Sequence, residues 1–274
     1  MENQSTEQAP QQALRKTDVM CRAIDNLELL LSQPDESVDL IYCDILYGTG
    51  RNFGDYQDLK PIRSEIESHY LPRLIEMKRV LKQNGSIYLQ MDTRINHWMR
   101  ILMDKVFGYD NFQNEIVWCY ESSGKSKNKY SQKHDVILFY SKSKKFKYNE
   151  QTIKSEKNIV RYNKIDENGN RYYMRSGKYK VIYKGTKPVT DCFLDLPFLT
   201  NNANERNGYP TQKPKELIKR IVLASSNEGD TVADYYLGSG TTAVVCKELN
   251  RNFIGCDINP KAIELTKTRL NAGT

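Results

Sequence analysis

At 274 residues, with 39% hydrophobic and 27% charged side chains, the chain is long enough for one large or two small domains and too apolar for a collagen-like, mucin-like or wholly disordered protein. No apolar run reaches the roughly 18 residues that span a bilayer, and MENQSTEQAPQQ has neither the basic start nor the apolar stretch of a signal peptide, so a soluble, cytoplasmic protein without a membrane partner is expected. The net charge of +7 is unevenly spread: residues 121–190 hold 18 Lys+Arg against 6 Asp+Glu, which leaves +12 in that window and −5 in the remainder.

Residues 1–16 are polar, Gln-rich and aperiodic, and read as a tail. From Ser37 to Asp44, SVDLIYCD predicts a short buried strand ahead of a Gly-rich turn. Apolar residues near helical spacing predict a helix over Pro61–Gln83, with the proline at its first position and Asn84-Gly85 as its stop. A strand over Ser86–Asp92, a helix over Ile95–Phe107 and β-rich runs at Glu115–Tyr120 and Asp135–Tyr140 follow. After the basic window the alternation resumes, with helices over Lys213–Ser226, Thr241–Leu249 and Pro260–Leu270 and strands over Thr231–Tyr236 and Asn252–Asp257. Neither α/β block is large enough to cover its own strands. The expected architecture is therefore one α/β, doubly wound, mostly parallel sheet of Rossmann-like type, built from residues 17–120 and 206–274, with 121–205 as an inserted basic lobe whose 135–141 strand joins the core.

Eight of the 18 tyrosines lie in the basic window, interleaved with its lysines. Lysine neutralises phosphates and aromatic rings pack on sugars and bases, so the mixture suits a nucleic-acid surface; a solvated loop with tyrosines packing a small subdomain is the alternative. The six cysteines form no CxxC pair and the three histidines have no ligand spacing, so neither a disulfide framework nor a metal site is expected, and the cysteines read as small core residues.

Two constellations carry chemistry. Asp234-Tyr-Tyr-Leu-Gly238-Ser239-Gly240-Thr241 stands where a predicted strand gives way to a predicted helix. Its glycines permit a tight turn and close approach of a ligand. About twenty residues on, Asp257 ends the next strand, where a carboxylate can accept hydrogen bonds from ribose hydroxyls. The pair points to a nucleoside-bearing cofactor. No lysine follows the second glycine, so the run is not a phosphate-binding Walker loop; NAD stays open, although GSGTT lacks a third glycine. The second constellation, Asp44-Ile45-Leu46-Tyr47 with Gly48-Thr49-Gly50, also ends a strand. Ligands bind beyond the carboxyl ends of such strands, which puts Asp44 and Tyr47 at the same crevice as Gly238 and Asp257.

In these residues the chain resembles the β-group of S-adenosylmethionine-dependent DNA amino-methyltransferases, from about Asp18 onward. The resemblance maps the family's catalytic tetrad to Asp44–Tyr47, its KP element to Lys213-Pro214, its cofactor motif to Asp234, Gly238, Ser239, Gly240 and Thr241, and its ribose-binding acid to Asp257. It maps an acid beside the cofactor adenine to Asp18. The motif order also matches: tetrad first, target-recognition region in the middle, cofactor motif last. One departure is that Ile45 and Leu46 stand where the family tetrad usually carries two prolines. The resemblance implies transfer of a methyl group to the N6 amine of a flipped-out adenine in a specific sequence of double-stranded DNA, with Asp44, the Ile45 carbonyl and Tyr47 as the catalytic groups. It further implies a homodimer and a cognate restriction enzyme. N4 of cytosine is the alternative target, and a catalytically silent DNA-binding subunit of a modification complex is the alternative role.

Overall fold

The computed structural model describes residues 18–52, 57–121, 124–155, 161–200 and 203–272; the predicted tail, residues 1–16, lies outside them. The architecture is organised on β2 (Val38–Asp44), whose first six residues are buried on both faces, as expected of a strand covered by helices on each side. Its neighbours come from opposite ends of the chain. On one side β2 pairs in parallel with β3 (Leu81–Met91), and on the other with β12 (Thr231–Asp234). Beyond β12 lie β13 (Asn252–Asp257) and β1 (Val19–Ala23), both parallel. Beyond β3 lie the antiparallel β5 (His134–Ser141), then β4 (Phe112–Cys119) and the two-residue β11 (Cys192–Phe193). The order of this eight-stranded sheet is β1-β13-β12-β2-β3-β5-β4-β11.

Helices cover both faces. One core gathers Leu29 and Leu30 of α1 (Asn26–Ser32), Ile66, Tyr70 and Leu74 of α2 (Arg63–Val80) and Met99 and Met103 of α3 (Asn96–Phe107). The other gathers Leu217 and Ile221 of α4 (Lys215–Ser225), Val245 of α5 (Thr241–Glu248) and Ile263 of α6 (Pro260–Asn271). The doubly wound α/β sheet expected from the sequence is therefore present. Because the chain leaves β2 in one direction and β12 in the other, a crevice opens between their carboxyl ends, at the topological switch point.

Local readings needed correction in three places. Helix α2 is shorter than predicted and is capped by Ile62, so Pro61 precedes it. Asn84-Gly85 does not stop the helix. Gly85 lies inside β3 at a register shift, where a Cβ would stand 2.8 Å from the Asp39 carbonyl, so its lack of a side chain serves close packing. The strand VMCRA after Asp18 carries exposed Met20 and Arg22 on an edge and has no periodic signal, so β1 has no counterpart among the predicted strands.

The basic window is not one piece. Its Tyr140 is wholly buried in β5 and donates to Asp104 at 2.6 Å, while Lys147 is ion-paired with Asp39 and Asp230 at the amino edge of the sheet. What stands apart is a small lobe made of β6 (Thr152–Lys154) paired with β10 (Thr186–Pro188), and of β7 (Lys164–Ile165), β8 (Arg171–Arg175) and β9 (Tyr179–Ile182). Tyr162 packs edge-on to Tyr173 and against Tyr183 inside this lobe, with Arg161 over the Tyr173 ring. These tyrosines build the subdomain, whereas Tyr130 and Tyr179 are exposed. Cys43, Cys246 and Cys256 are buried as expected, Cys21 and Cys119 are half-buried, and Cys192 is exposed. Among the described residues no helix is long and apolar enough to cross a membrane, and no cluster of His, Cys, Asp or Glu could hold a metal.

Candidate active site

A cavity of about 460 Å³ occupies the crevice beyond β2 and β12. Its wall includes Asp44, Ile45 and Tyr47 from the early part of the chain together with Lys213, Asp234, Gly238, Ser239, Thr241 and Asp257 from the late part. Contact between the two parts is direct: the Lys213 ammonium donates to Asp44 at 2.5 Å and lies 5.2 Å from the centre of the Tyr47 ring. Lys213, expected among the cofactor-binding residues, is thus tied to the tetrad.

Asp44 closes β2, and its second carboxylate oxygen accepts from the Tyr47 hydroxyl at 2.8 Å. Burial pushes its pKa above the usual carboxylate range, while the Lys213 cation and the Tyr47 hydroxyl pull it back. Where the resemblance places prolines, Ile45 is held by burial, and both Ile45 and Leu46 by hydrogen bonds to their backbone. Ile45 is 3% exposed within the core, and its N–H donates to the Gln90 carbonyl at 3.1 Å. The Leu46 carbonyl accepts from Tyr70 at 3.0 Å. The turn that follows is braced by Asp58, whose carboxylate accepts from the N–H groups of Gly48 and Thr49 and from the Thr49 hydroxyl. Gly48 and Gly50 hold positive φ in that turn, which glycine adopts without strain.

On the other wall Asp234 accepts from the Thr242 hydroxyl at 2.6 Å and from the Tyr236 N–H at 3.0 Å, bracing the glycine turn from beneath. Burial pushes its carboxyl up to about 7. Asp257 accepts from the N–H groups of Gly238 and Asn259, each at 2.9 Å, and burial raises its pKa as well. Gly238 lines the cavity at φ +51°, beside the Tyr209 ring. Gly240 does not line it. At φ +76° it caps α5, and a Cβ there would fall 2.2 Å from the Thr266 hydroxyl of α6, so this glycine permits helix packing instead of ligand approach.

Asp18 is also displaced from its expected place. It stands at the amino end of β1, where its N–H donates to Asn252 and its carbonyl accepts from Phe253, at the sheet edge away from the cavity. The acid that does line the cavity after β1 is Asp25, the N-cap of α1, ion-paired with Arg73 at 3.0 Å. The strand VMCRA carries no periodic signal, so the sequence does not show that Asp18 precedes a strand and Asp25 follows one; an acid between an apolar stretch and a helix start is the available signal. Sequence reasoning also misses Asp58, His69 and the partners beneath Tyr47.

Among the described residues the cavity is lined by Asp25, Asp44, Asp58, Asp234 and Asp257, with Asp234 partly protonated near neutrality because burial raises it to about 7, and by one ammonium, that of Lys213. His69 adds no charge near neutrality, since burial and the neighbouring Arg73 lower its pKa to about 4. Tyr236, Leu237 and Ile258 supply apolar wall. The field suits a cationic ligand with a planar aromatic end and opposes a polyphosphate.

The profile of the DNA methylase family matches residues 38–268. The chain is 35% identical over 254 residues to a type II methyltransferase, M.HpaI of Haemophilus parainfluenzae, covering 92% of this chain and 72% of the relative. It is 32% identical over 262 residues to the DNA adenine methyltransferase YhdJ of Escherichia coli K12, covering 91% and 82% respectively. Among solved structures, the cytosine-N4-specific PvuII DNA methyltransferase shares the fold with a TM-score of 0.64 at 16% identity, over 92% of this chain and 86% of that one. The M1.HpyAVI–SAM complex does so with a TM-score of 0.59 at 20% identity, over 92% and 99%.

Proposed function

The chain belongs to the DNA methylase family, a group of DNA amino-methyltransferases, and from that premise we propose that it transfers a methyl group from S-adenosylmethionine to the N6 amine of an adenine turned out of duplex DNA. The observation that carries this reading is the meeting of Asp44 and Tyr47 with the Gly238–Asp257 wall in one acidic cavity. Its chemistry fits the cofactor. Carboxylates outnumber cations on the wall, as a sulfonium and an ammonium require, Asp257 holds a strand end where ribose hydroxyls can be accepted, and the Tyr236, Leu237 and Ile258 side chains offer an apolar seat for a base. When bound, S-adenosylmethionine would supply the electrophilic methyl carbon and keep the electron pair of the broken carbon–sulfur bond on sulfur, leaving as the neutral thioether.

The residues of the chain do the rest. An adenine amine is a weak nucleophile because its lone pair is delocalised into the ring. Asp44 and the Ile45 carbonyl accept its two hydrogens and turn the lone pair out of the ring plane. Lys213 keeps Asp44 ionised for this purpose. As the nitrogen gains its new bond to carbon, the proton it sheds passes to Asp44, whose raised pKa makes it a better proton holder than an exposed carboxylate. Tyr47 offers a face for the extruded base. Such stacking is worth about 1–3 kcal/mol, which offsets the few kcal/mol that unstacking costs.

The exposed cations of the lobe and of the 124–133 loop are assigned to the DNA backbone, with 121–205 as the target-recognition region. This reading also implies, as partners, a second copy of the chain and a restriction enzyme of the same specificity.

The test incubates the protein with labelled S-adenosylmethionine and mixed-sequence duplex DNA, then identifies the modified nucleoside by mass spectrometry. N6-methyladenine that disappears in Asp44→Ala supports the proposal. N4-methylcytosine would move the target, and tight DNA binding without transfer would remove the activity.

A further inference from the structure

We propose that Asp135, at the start of β5, is a positioning residue that holds the Tyr47 ring while Asp44 exchanges partners with the substrate amine. This rests on the role given to Tyr47 above.

Asp135 is 4% exposed, yet it reaches the floor of the active site. One of its oxygens accepts from the Tyr47 hydroxyl at 2.7 Å and from the Gln90 amide at 2.9 Å, and the other accepts from Tyr120 at 2.9 Å. Gln90 is itself oriented by the buried Tyr42 hydroxyl at 2.7 Å. The Tyr47 hydroxyl therefore sits between two carboxylates, 2.8 Å from Asp44 and 2.7 Å from Asp135. A phenol carries one hydrogen and can donate to only one of them at a time.

That arrangement resolves a conflict. Asp44 is asked to receive an amine hydrogen, and an oxygen so engaged is a poorer acceptor for the phenol. Were Asp44 the sole anchor, the ring would loosen as the amine arrived. With Asp135 fixed by β5, Gln90 and Tyr120, the phenol hydrogen shifts to a second acceptor without movement of the ring. Lys213 remains on the other Asp44 oxygen throughout.

The experiment is a double-mutant cycle of Asp135→Ala and Tyr47→Phe. Four readouts are taken: kcat, the Kd for DNA, the fluorescence of 2-aminopurine at the methylated position, and the melting temperature of the free protein. Each single change is expected to lower kcat by about tenfold to a hundredfold, the usual effect of losing a hydrogen bond to a charged group. The double variant is expected to fall no more than about twofold below Asp135→Ala alone, because the Tyr47–Asp135 bond, the one bond the two changes share, is already absent there. The Kd is expected to move by less than about threefold, and 2-aminopurine to brighten as the ring stacks less firmly. Losses that multiply, or a wild-type kcat in Asp135→Ala, would overturn the proposal. Tyr47→Phe keeps the ring and serves where the alanine variant folds poorly: unchanged kcat and fluorescence there also overturn it. If the unmodified protein transfers no methyl group, the function above fails instead. The cycle in melting temperature then decides, with additive shifts removing the bond and non-additive shifts keeping it.

Discussion

The crevice and the lobe are built on opposite principles. The crevice is tied together by long-range contacts: Lys213 with Asp44, Tyr47 with Asp135, and the Gly238 turn with Asp257. These side chains are largely withdrawn from solvent and clamped by partners on different strands. In the lobe only the β6–β10 pair joins distant segments, and the rest of its strand pairing is local. Strands β7, β8 and β9 pair with their sequence neighbours, few side chains are buried, and Arg171, Arg175, Lys178 and Lys184 are exposed. A residue of the crevice cannot change without disturbing several others, whereas the lobe can change its surface at small cost to stability. This suits a division in which the chemistry is shared across a family and the bound sequence is not.

The sharpest way to break this contrast is at Asp44. Asp44→Asn should lower the rate of methyl transfer by about a thousandfold or more while leaving the DNA Kd within about threefold, since it removes the acceptor for the amine hydrogens and alters little at the protein surface. Single-turnover kinetics beside a binding titration separate the two, and a large drop in affinity would make Asp44 a binding residue.

In the lobe the pattern should invert. Replacing Arg171, Arg175, Lys178 and Lys184 with glutamine should weaken DNA binding by about tenfold to a hundredfold at moderate salt and flatten the slope of log K against log salt by about 0.9 for each phosphate that is no longer neutralised. The kcat at saturating DNA should hold. An unchanged salt slope would move the DNA surface elsewhere, and the first place to look is the loop carrying Lys125, Lys127 and Lys129. That loop leaves the sheet at Tyr120, directly beside the Tyr47 network.

Smaller effects sharpen the account of the glycine turn. Gly240→Ala forces a Cβ to 2.2 Å from the Thr266 hydroxyl at a left-handed φ. It should cost about 1–3 kcal/mol of stability in denaturant titrations. Gly238→Ala, where the nearest atom is a Tyr209 ring carbon at 3.4 Å, should weaken cofactor binding relative to its smaller effect on stability. If Gly240→Ala proved neutral, the packing role given to this residue would be wrong.

The smallest effect concerns pH. Asp234 titrates near 7 in the folded chain against an ordinary value of 3.8, because burial penalises its charge. The folded state thus binds the extra proton, and the stability this contributes is fully present below about pH 4 and is lost as pH rises through about 7. Asp234→Asn should therefore melt a few degrees above the unsubstituted protein near pH 8, with the gap closing toward pH 4. Parallel melting curves across that range would show that Asp234 is not the titrating group.

Much of this is legible in the chain itself. The alternation of apolar strands with amphipathic helices announces a doubly wound sheet, because burial on two faces requires near-continuous apolar runs such as Leu40–Cys43. Asp44, Tyr47, Gly238 and Asp257 are legible because ligand sites in such sheets gather at strand ends, and each of these follows or closes an apolar run. Even the split of charge between core and insert can be counted from the residues.

What the tertiary structure alone decided is which of the named residues meet. Asp18 and Asp25 are seven positions apart, yet only the second lines the cavity, because a parallel strand carries its two ends to opposite edges of the sheet. Gly240 and Gly238 are two apart and serve different neighbours, α6 and the crevice. Asp135 has no motif to mark it. It reaches Tyr47 across 88 positions because β5 lies antiparallel between β3 and β4, and a hydrogen bond depends on a distance that only the pairing of strands sets.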